Sequence, residues 1–332
     1  MTTTTTRLLI YNSKRSNSNF HLVLSLWRAA RELPDVEAEI ASTHAMDAML
    51  GAFRPDVVVA LGGEEISPEW IKARRRAGVA WVLWTTEDPF ELALNRALAR
   101  RFDWVFTSDK ASRDDYDHRR RFYLPLAASP DLFFRPVVED PERLRYDLVF
   151  VGTPWPNRLT FLKDLVHALR AHDLRGRFLL PTNPHIPADE MEALGLLPFE
   201  RDLRLSVRDL ATLQNRSRFA LTLFRDYSRH GTVRPQTSPT NRFFETALAG
   251  TSQIVVSSEI DIAGFYPDLA GGVEQCRSVE EIIAVLLAAR RDPESRNRGA
   301  RALQQFILDR HLYVHRLREM LEVMGRPPGP QQ

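Results

Sequence analysis

One cysteine, Cys276, is all that the chain's 332 residues contain. That excludes an intramolecular disulfide and any cysteine-based zinc cluster, suits a reducing cytoplasm, and leaves Cys276 as a small core residue. No run approaches the roughly 18 apolar residues of a membrane span, and the start MTTTTTRLLIYNS puts no charged leader before a long apolar stretch. An excess of one charge is missing too, since 45 Lys and Arg stand against 43 Asp and Glu. Neither nucleic acid nor a membrane surface is therefore favoured as a partner, and patches such as RRFDW and HRRRF read as solvated surface or local anion contacts. No G-x-G-x-x-G follows the first strand, which argues against a nicotinamide or flavin cofactor. Among nine histidines no pair has metal-ligand spacing beside carboxylates; His311 and His315 are four apart without a Glu between them. No Ser-His-Asp set emerges. The expectation is a soluble cytoplasmic protein with no cofactor and no metal.

What is present is a rhythm. Short apolar runs (RLLIY, PDVVVALGG, VAWVLWTT, FDWVFTS, RFYLPLA) alternate with helical patterns (FHLVLSLWRAARELP, SPEWIKARRRAG, PFELALNRALARR, KASRDDYDHR). Continuous β-rich runs between amphipathic helices predict a parallel sheet covered on both faces. A polar, proline-containing segment around 134–146 has the composition of a linker, after which DLVFVGTP, GRFLLP, RFALTLFR and TSQIVVSS alternate with helices again. Two or three helices follow from about 278 to 325. The fold class is therefore α/β: two doubly wound, Rossmann-like domains, 1–135 and 136–332, with the terminal helices free to pack back on the first domain.

Ligands of such sheets bind outside the carboxyl ends of the strands, so tandem sheets place chemistry in a cleft between those ends. In SPTNRFFETALAGTSQIVV, Ser238 is expected as N-cap, Pro239 as first helical residue and Gly250 as the stop. Amides and dipole at such a start favour a phosphate group, with Asn241 and Arg242 as added donors. Glu245, one turn further in, suits the hydroxyl pair of a ribose. The competing reading makes Arg242 and Glu245 an intrahelical ion pair. FVGTPWPNR turns from strand to helix with Gly152 in the turn, and Arg158 either reaches a diphosphate or is solvated in an unfavourable first turn. The long connection LFRDYSRHGTVRPQTSPTNR brings Arg225, Arg229, His230 and Arg234 to its mouth and fits an anionic ligand. In LWTTEDPFE, Glu87 is a candidate general base and Asp88 reads as a helix cap before Pro89. His21 is a second acid-base candidate, and the loop from Asn12 to Asn19 is assigned to the acceptor side.

Taken in order, WTTEDPFE, DWVFTSDKAS, YLPLAASPDLF, YDLVFVGTPWPNR, SPTNRFFETALAG and HLYVHRLREML resemble the CgeB-like glycosyltransferases, over about residues 80 to 325. The resemblance implies a GT-B fold whose two domains face a central cleft. It implies a nucleotide-sugar donor held mainly by the second domain and a saccharide, protein or small-molecule hydroxyl acceptor held mainly by the first. Glu245 then corresponds to the ribose carboxylate, and Arg158, with Arg225 and Asn241 or Arg242, to the groups that neutralise the departing diphosphate without a metal ion. Thr237 departs from the pattern of retaining relatives that pair Glu245 with a second glutamate. The expected activity is transfer of a hexose-type sugar; a nucleotide-sugar epimerase and a catalytically inactive nucleotide-sugar-binding protein are the alternatives.

Overall fold

The computed structural model describes residues 5–12, 20–63, 66–181, 205–224, 227–228, 231–232, 234–257 and 260–326. It divides into two compact units, Met1–Ala127 with His311–Gln332, and Ala128–Arg310.

The first unit begins β1 (Thr6–Asn12), α1 (Phe20–Ala30), β2 (Val36–Ser42), α2 (Met46–Ala52), β3 (Val57–Leu61), α3 (Pro68–Arg74) and β4 (Ala80–Thr85). It continues with α4 (Leu92–Ala99), β5 (Trp104–Thr107) and β6 (Arg121–Tyr123). The six strands are parallel, in the order β2-β1-β3-β4-β5-β6. Successive residues of a strand point to opposite faces, and β1 shows the result. Leu8 and Ile10 pack with Leu22, Val23 and Leu26 of α1, whereas Leu9 and Tyr11 join Leu50, Ile71 and Leu98 beneath the helices of the other face.

Two elements of this unit escape the apolar pattern. VEAEIAS forms β2 at the sheet edge, where its two glutamates alternate outward and no continuous apolar run is needed; α2 then spans a single short segment. The expected helix KASRDDYDHR is only a 3₁₀ turn, Ala111–Asp115. The Asp109 carboxylate accepts from the Ser112 amide and hydroxyl at 3.1 and 2.7 Å, and Tyr116 is extended and buried.

The second unit runs α5 (Pro130–Phe133), β7 (Tyr146–Val151), α6 (Pro156–Ala171), β8 (Gly176–Leu179), α7 (Val207–Asn215), β9 (Ser217–Leu223) and the short antiparallel pair β10 (Tyr227–Ser228) and β11 (Gly231–Thr232). It closes with α8 (Asn241–Leu248), β12 (Ser252–Val256), α9 (Ile262–Phe265), β13 (Val273–Cys276), α10 (Val279–Arg291) and α11 (Pro293–Arg310). Its sheet is parallel, in the order β13-β12-β9-β7-β8. Cys276 is buried at the end of β13, and burial pushes its thiol up to about 11.

Residues 134–146 do not hang free as a linker would. The Arg135 amide donates to Leu248 O at 3.1 Å, and Pro136 O and Glu139 O accept from the side-chain amides of Asn215 and Asn297, so hydrogen bonds to its backbone fasten the segment to the second unit. The last helix, α12 (Tyr313–Val323), belongs to the first unit, where Tyr313, Val314, Leu317, Met320 and Leu321 complete the core over α1.

Candidate functional site

In the second sheet β7 and β9 are neighbours, yet the chain leaves β7 through α6 towards β8 and leaves β9 through α8 towards β12 on the opposite side. Connections that diverge in this way open a crevice at the carboxyl ends of the strands they leave. Two side chains of the first α6 turn lace that crevice. Arg158 donates through Nη1 to Thr153 O at 3.0 Å and through Nη2 to Leu223 O at 2.7 Å; Asn157 donates to Phe224 O at 3.0 Å. The ends of β7 and β9 are thus tied by a half-buried guanidinium lying 5.8 Å from the Phe150 ring centroid. Gly152 makes the room: a Cβ there would sit 3.1 Å from the Phe150 ring and 3.5 Å from Arg158 Nη1. The N-cap of α6 is Trp155, whose side chain makes no cap bond, and its first residue is Pro156, which has no amide to cap, so the helix starts without a side-chain cap from its own N-cap residue.

The helix after β9 starts later than Ser238 and Pro239 suggested. Both are buried, Ser238 lies in a bend, and the extended Thr240 is the N-cap and makes no side-chain cap bond. Gly250 does end the helical segment, with φ of +71°. Within α8 the three singled-out residues form one network. Asn241 Nδ2 donates to Glu245 Oε1 at 2.9 Å, and Arg242 Nη1 stands 3.3 Å from Glu245 Oε2. Glu245 is 1% exposed. The ion pair and the polar cluster are therefore the same object: a carboxylate oriented from two sides near a helix start. Phe243 and Phe244 anchor it from below against Tyr266, with ring centroids 5.6 and 6.4 Å away.

In the first sheet the connections diverge between β1 and β3. Asn12 is the last residue of β1 and His21 the second of α1, so both lie at that point, and both are half-buried. Glu87 follows β4, one strand beyond β3; its carbonyl accepts from the amides of Phe90 and Glu91 at 2.8 and 3.2 Å. Asn19, Arg225, Arg229 and His230 fall outside the described residues, and Arg234 is exposed.

Asp88 is not a helix cap. The following helix begins only at Leu92, and the Asp88 carboxylate is buried among donors from Thr85, Asn95, Thr107 and Tyr116. Sequence reading also passes over Asn157, although its place beside Arg158 in a helix start is a usable signal. Among the described residues no group of three or more His, Cys, Asp or Glu can hold a metal ion, and no helix is long and apolar enough to cross a membrane. His311 Nδ1 pairs with Arg316 Nη2 at 2.8 Å and His315 Nδ1 accepts from the Leu312 amide at 3.1 Å.

A family model described as "Glycosyl transferase-like" matches residues 131–322. The spore protein CgeB of Bacillus subtilis (strain 168) is 24% identical over 119 residues, which are 35% of this chain and 37% of that protein; the match spans little more than a third of this relative's length. Sucrose-phosphate synthase from Thermosynechococcus elongatus is similar in structure with a TM-score of 0.64 at 11% identity, over 96% of this chain and 98% of that one. HepE of Anabaena, solved in complex with UDP-glucose, gives a TM-score of 0.60 at 12% identity, over 96% and 99%. At such identities the likeness is one of fold, and the fold is GT-B.

Proposed function

The chain belongs to the glycosyl transferase-like family, and on that premise we propose that it moves a sugar from a nucleoside-diphosphate donor to a hydroxyl acceptor without a metal ion. The observation that carries the reading is the crevice between β7 and β9, where an uncapped helix start meets the Arg158 guanidinium. Amides at a helix start and a fixed cation suit a diphosphate, whose charge grows as the sugar departs. Glu245, oriented by Asn241 and Arg242, accepts from the two ribose hydroxyls. The acceptor oxygen attacks the anomeric carbon while the bond to the diphosphate oxygen breaks and its electron pair leaves with the nucleotide. The acceptor's proton passes to a carboxylate, which we assign to Glu87, with His21 and Asn12 on the acceptor side of the first sheet.

UDP is the first nucleotide to test, because the similar HepE was solved with UDP-glucose. Calorimetric titration of UDP in EDTA-containing buffer should show binding, and Glu245→Ala should weaken it by about tenfold or more, since a lost charge-assisted bond is worth ~1.5–3 kcal/mol. Equal affinity of wild type and variant for UDP and for every other nucleoside diphosphate tried would reject the ribose assignment.

A further inference from the structure

Asp88 is 1% exposed, and its carboxylate takes four hydrogen bonds from neutral groups on four separate pieces of chain. Thr85 Oγ1 at the end of β4, Thr107 Oγ1 at the end of β5 and Tyr116 OH donate to Oδ2 at 2.6, 2.8 and 2.6 Å; Asn95 Nδ2 of α4 donates to Oδ1 at 2.9 Å. Thr85 and Thr107 are partners in the strand register, so two adjacent strand ends converge on one oxygen. Burial, followed by the Asp88 charge, holds the Tyr116 hydroxyl far above its ordinary range and keeps it a donor. The node also reaches the turn after β3. A Cβ at Gly63 would lie 2.9 Å from Asn95 Oδ1 and 2.7 Å from Leu98 Cδ1, so Asn95 packs directly on that turn.

A buried carboxylate held by four neutral donors costs more than an apolar residue of the same size would, and stability alone gives no reason to keep one. Its location gives one: the node gathers the turns after β3, β4 and β5 at the sheet edge where ligands bind, and its neighbour in sequence is Glu87. We propose that Asp88 is a positioning residue, whose hydrogen bonds hold the Glu87 turn against the strand ends. The proposal rests on the reading of Glu87 as the base for sugar transfer.

The test compares Asp88→Ala, Asp88→Asn, Glu87→Gln and the double variant Glu87→Gln/Asp88→Ala in the full chain. The readouts are release of nucleoside diphosphate from UDP-glucose, GDP-mannose and dTDP-glucose with water as acceptor, UDP affinity and thermal midpoint. Asp88→Ala should lower kcat by about ten- to a hundredfold, as expected for a displaced reacting group. Donor KM and UDP affinity should stay within about twofold. Asp88→Asn should restore most of the rate: one amide oxygen still accepts the three hydroxyls, and Asn95 can turn its amide to accept from the new NH2 through Oδ1, which now makes no hydrogen bond. In the Glu87→Gln background, Asp88→Ala should add no further loss. Should Asp88→Ala fail to fold, Tyr116→Phe removes one donor, keeps the ring and should lower kcat in the same Glu87-dependent way. Multiplying losses, or a folded Asp88→Asn as slow as Asp88→Ala, would overturn the positioning role alone. A Glu87→Gln enzyme as fast as wild type overturns the base and the positioning role together. Donors left intact by the wild-type chain overturn sugar transfer itself, and the role with it.

Discussion

Asp147, buried near the start of β7, accepts from the Arg175 amide at 2.8 Å, from Arg218 Nε at 3.3 Å, and from Arg290 Nε and Nη2 at 3.1 and 2.8 Å. Burial pulls its pKa upward, but the Arg290 bonds, the Arg175 amide and the charges of Arg290 and Arg218 outweigh that and hold it below the ordinary range. A carboxylate depressed on folding contributes its full stability above the unfolded pKa, near 4, and loses it as the pH falls from there through the folded value. Asp147→Ala should destabilise the second unit by about 3–5 kcal/mol, because buried Arg218 loses its counter-charge. Urea melts at neutral pH check this, and the gap between variant and wild type should narrow below about pH 4. An unchanged midpoint would refute it. Neither this node nor Asp88 is legible in sequence, since Arg218 and Arg290 lie 71 and 143 residues from Asp147. Glu245 was legible because its two partners sit three and four residues away on the same helix turn.

The elements that read most clearly are the doubly covered strands. β3 (VVVAL) and β9 (SRFALTL) are buried at every position; an unbroken apolar run marks β3, and Arg218 alone interrupts the apolar and small residues of β9. β2 and β13 sit at sheet edges, where half the side chains face water and the run breaks up. The stop of α8 was also visible. Gly250 holds φ at +71° with Arg135 O only 2.7 Å from where a Cβ would be, so both backbone conformation and space require glycine there. Gly250→Ala should cost more than ~1 kcal/mol in urea titrations; a neutral substitution would show that the approach of residues 135–137 to this turn relaxes freely. The start of α8 was misread because local capping preferences pointed to Ser238, and burial of Ser238 and Pro239 overrides them.

At the scale of the molecule, α12 is the piece that crosses the chain order. Five side chains of this last helix enter the core of the first unit. At about 1.5–3 kcal/mol each, their burial is comparable to the ~5–15 kcal/mol net stability of a whole domain. A chain ending at residue 310 should lose hydrogen-exchange protection in β1 and β3 and keep it in β7 and β9. Protection retained in β1 and β3 would mean that α1 and the sheet suffice without it.

Local patterning was enough to establish an α/β protein with parallel sheets built twice over, and to bring Asn241, Arg242 and Glu245 together on one helix turn. Those features follow from periods of two and 3.6 residues and from turn chemistry, which a short window of sequence contains. Tertiary structure alone decided that Arg158 ties β7 to β9, that Asp88 gathers three turns instead of capping a helix, and that the last helix completes the first core. Each of these pairs a polar or apolar group with partners brought near only by sheet order and chain return, and no local period encodes that.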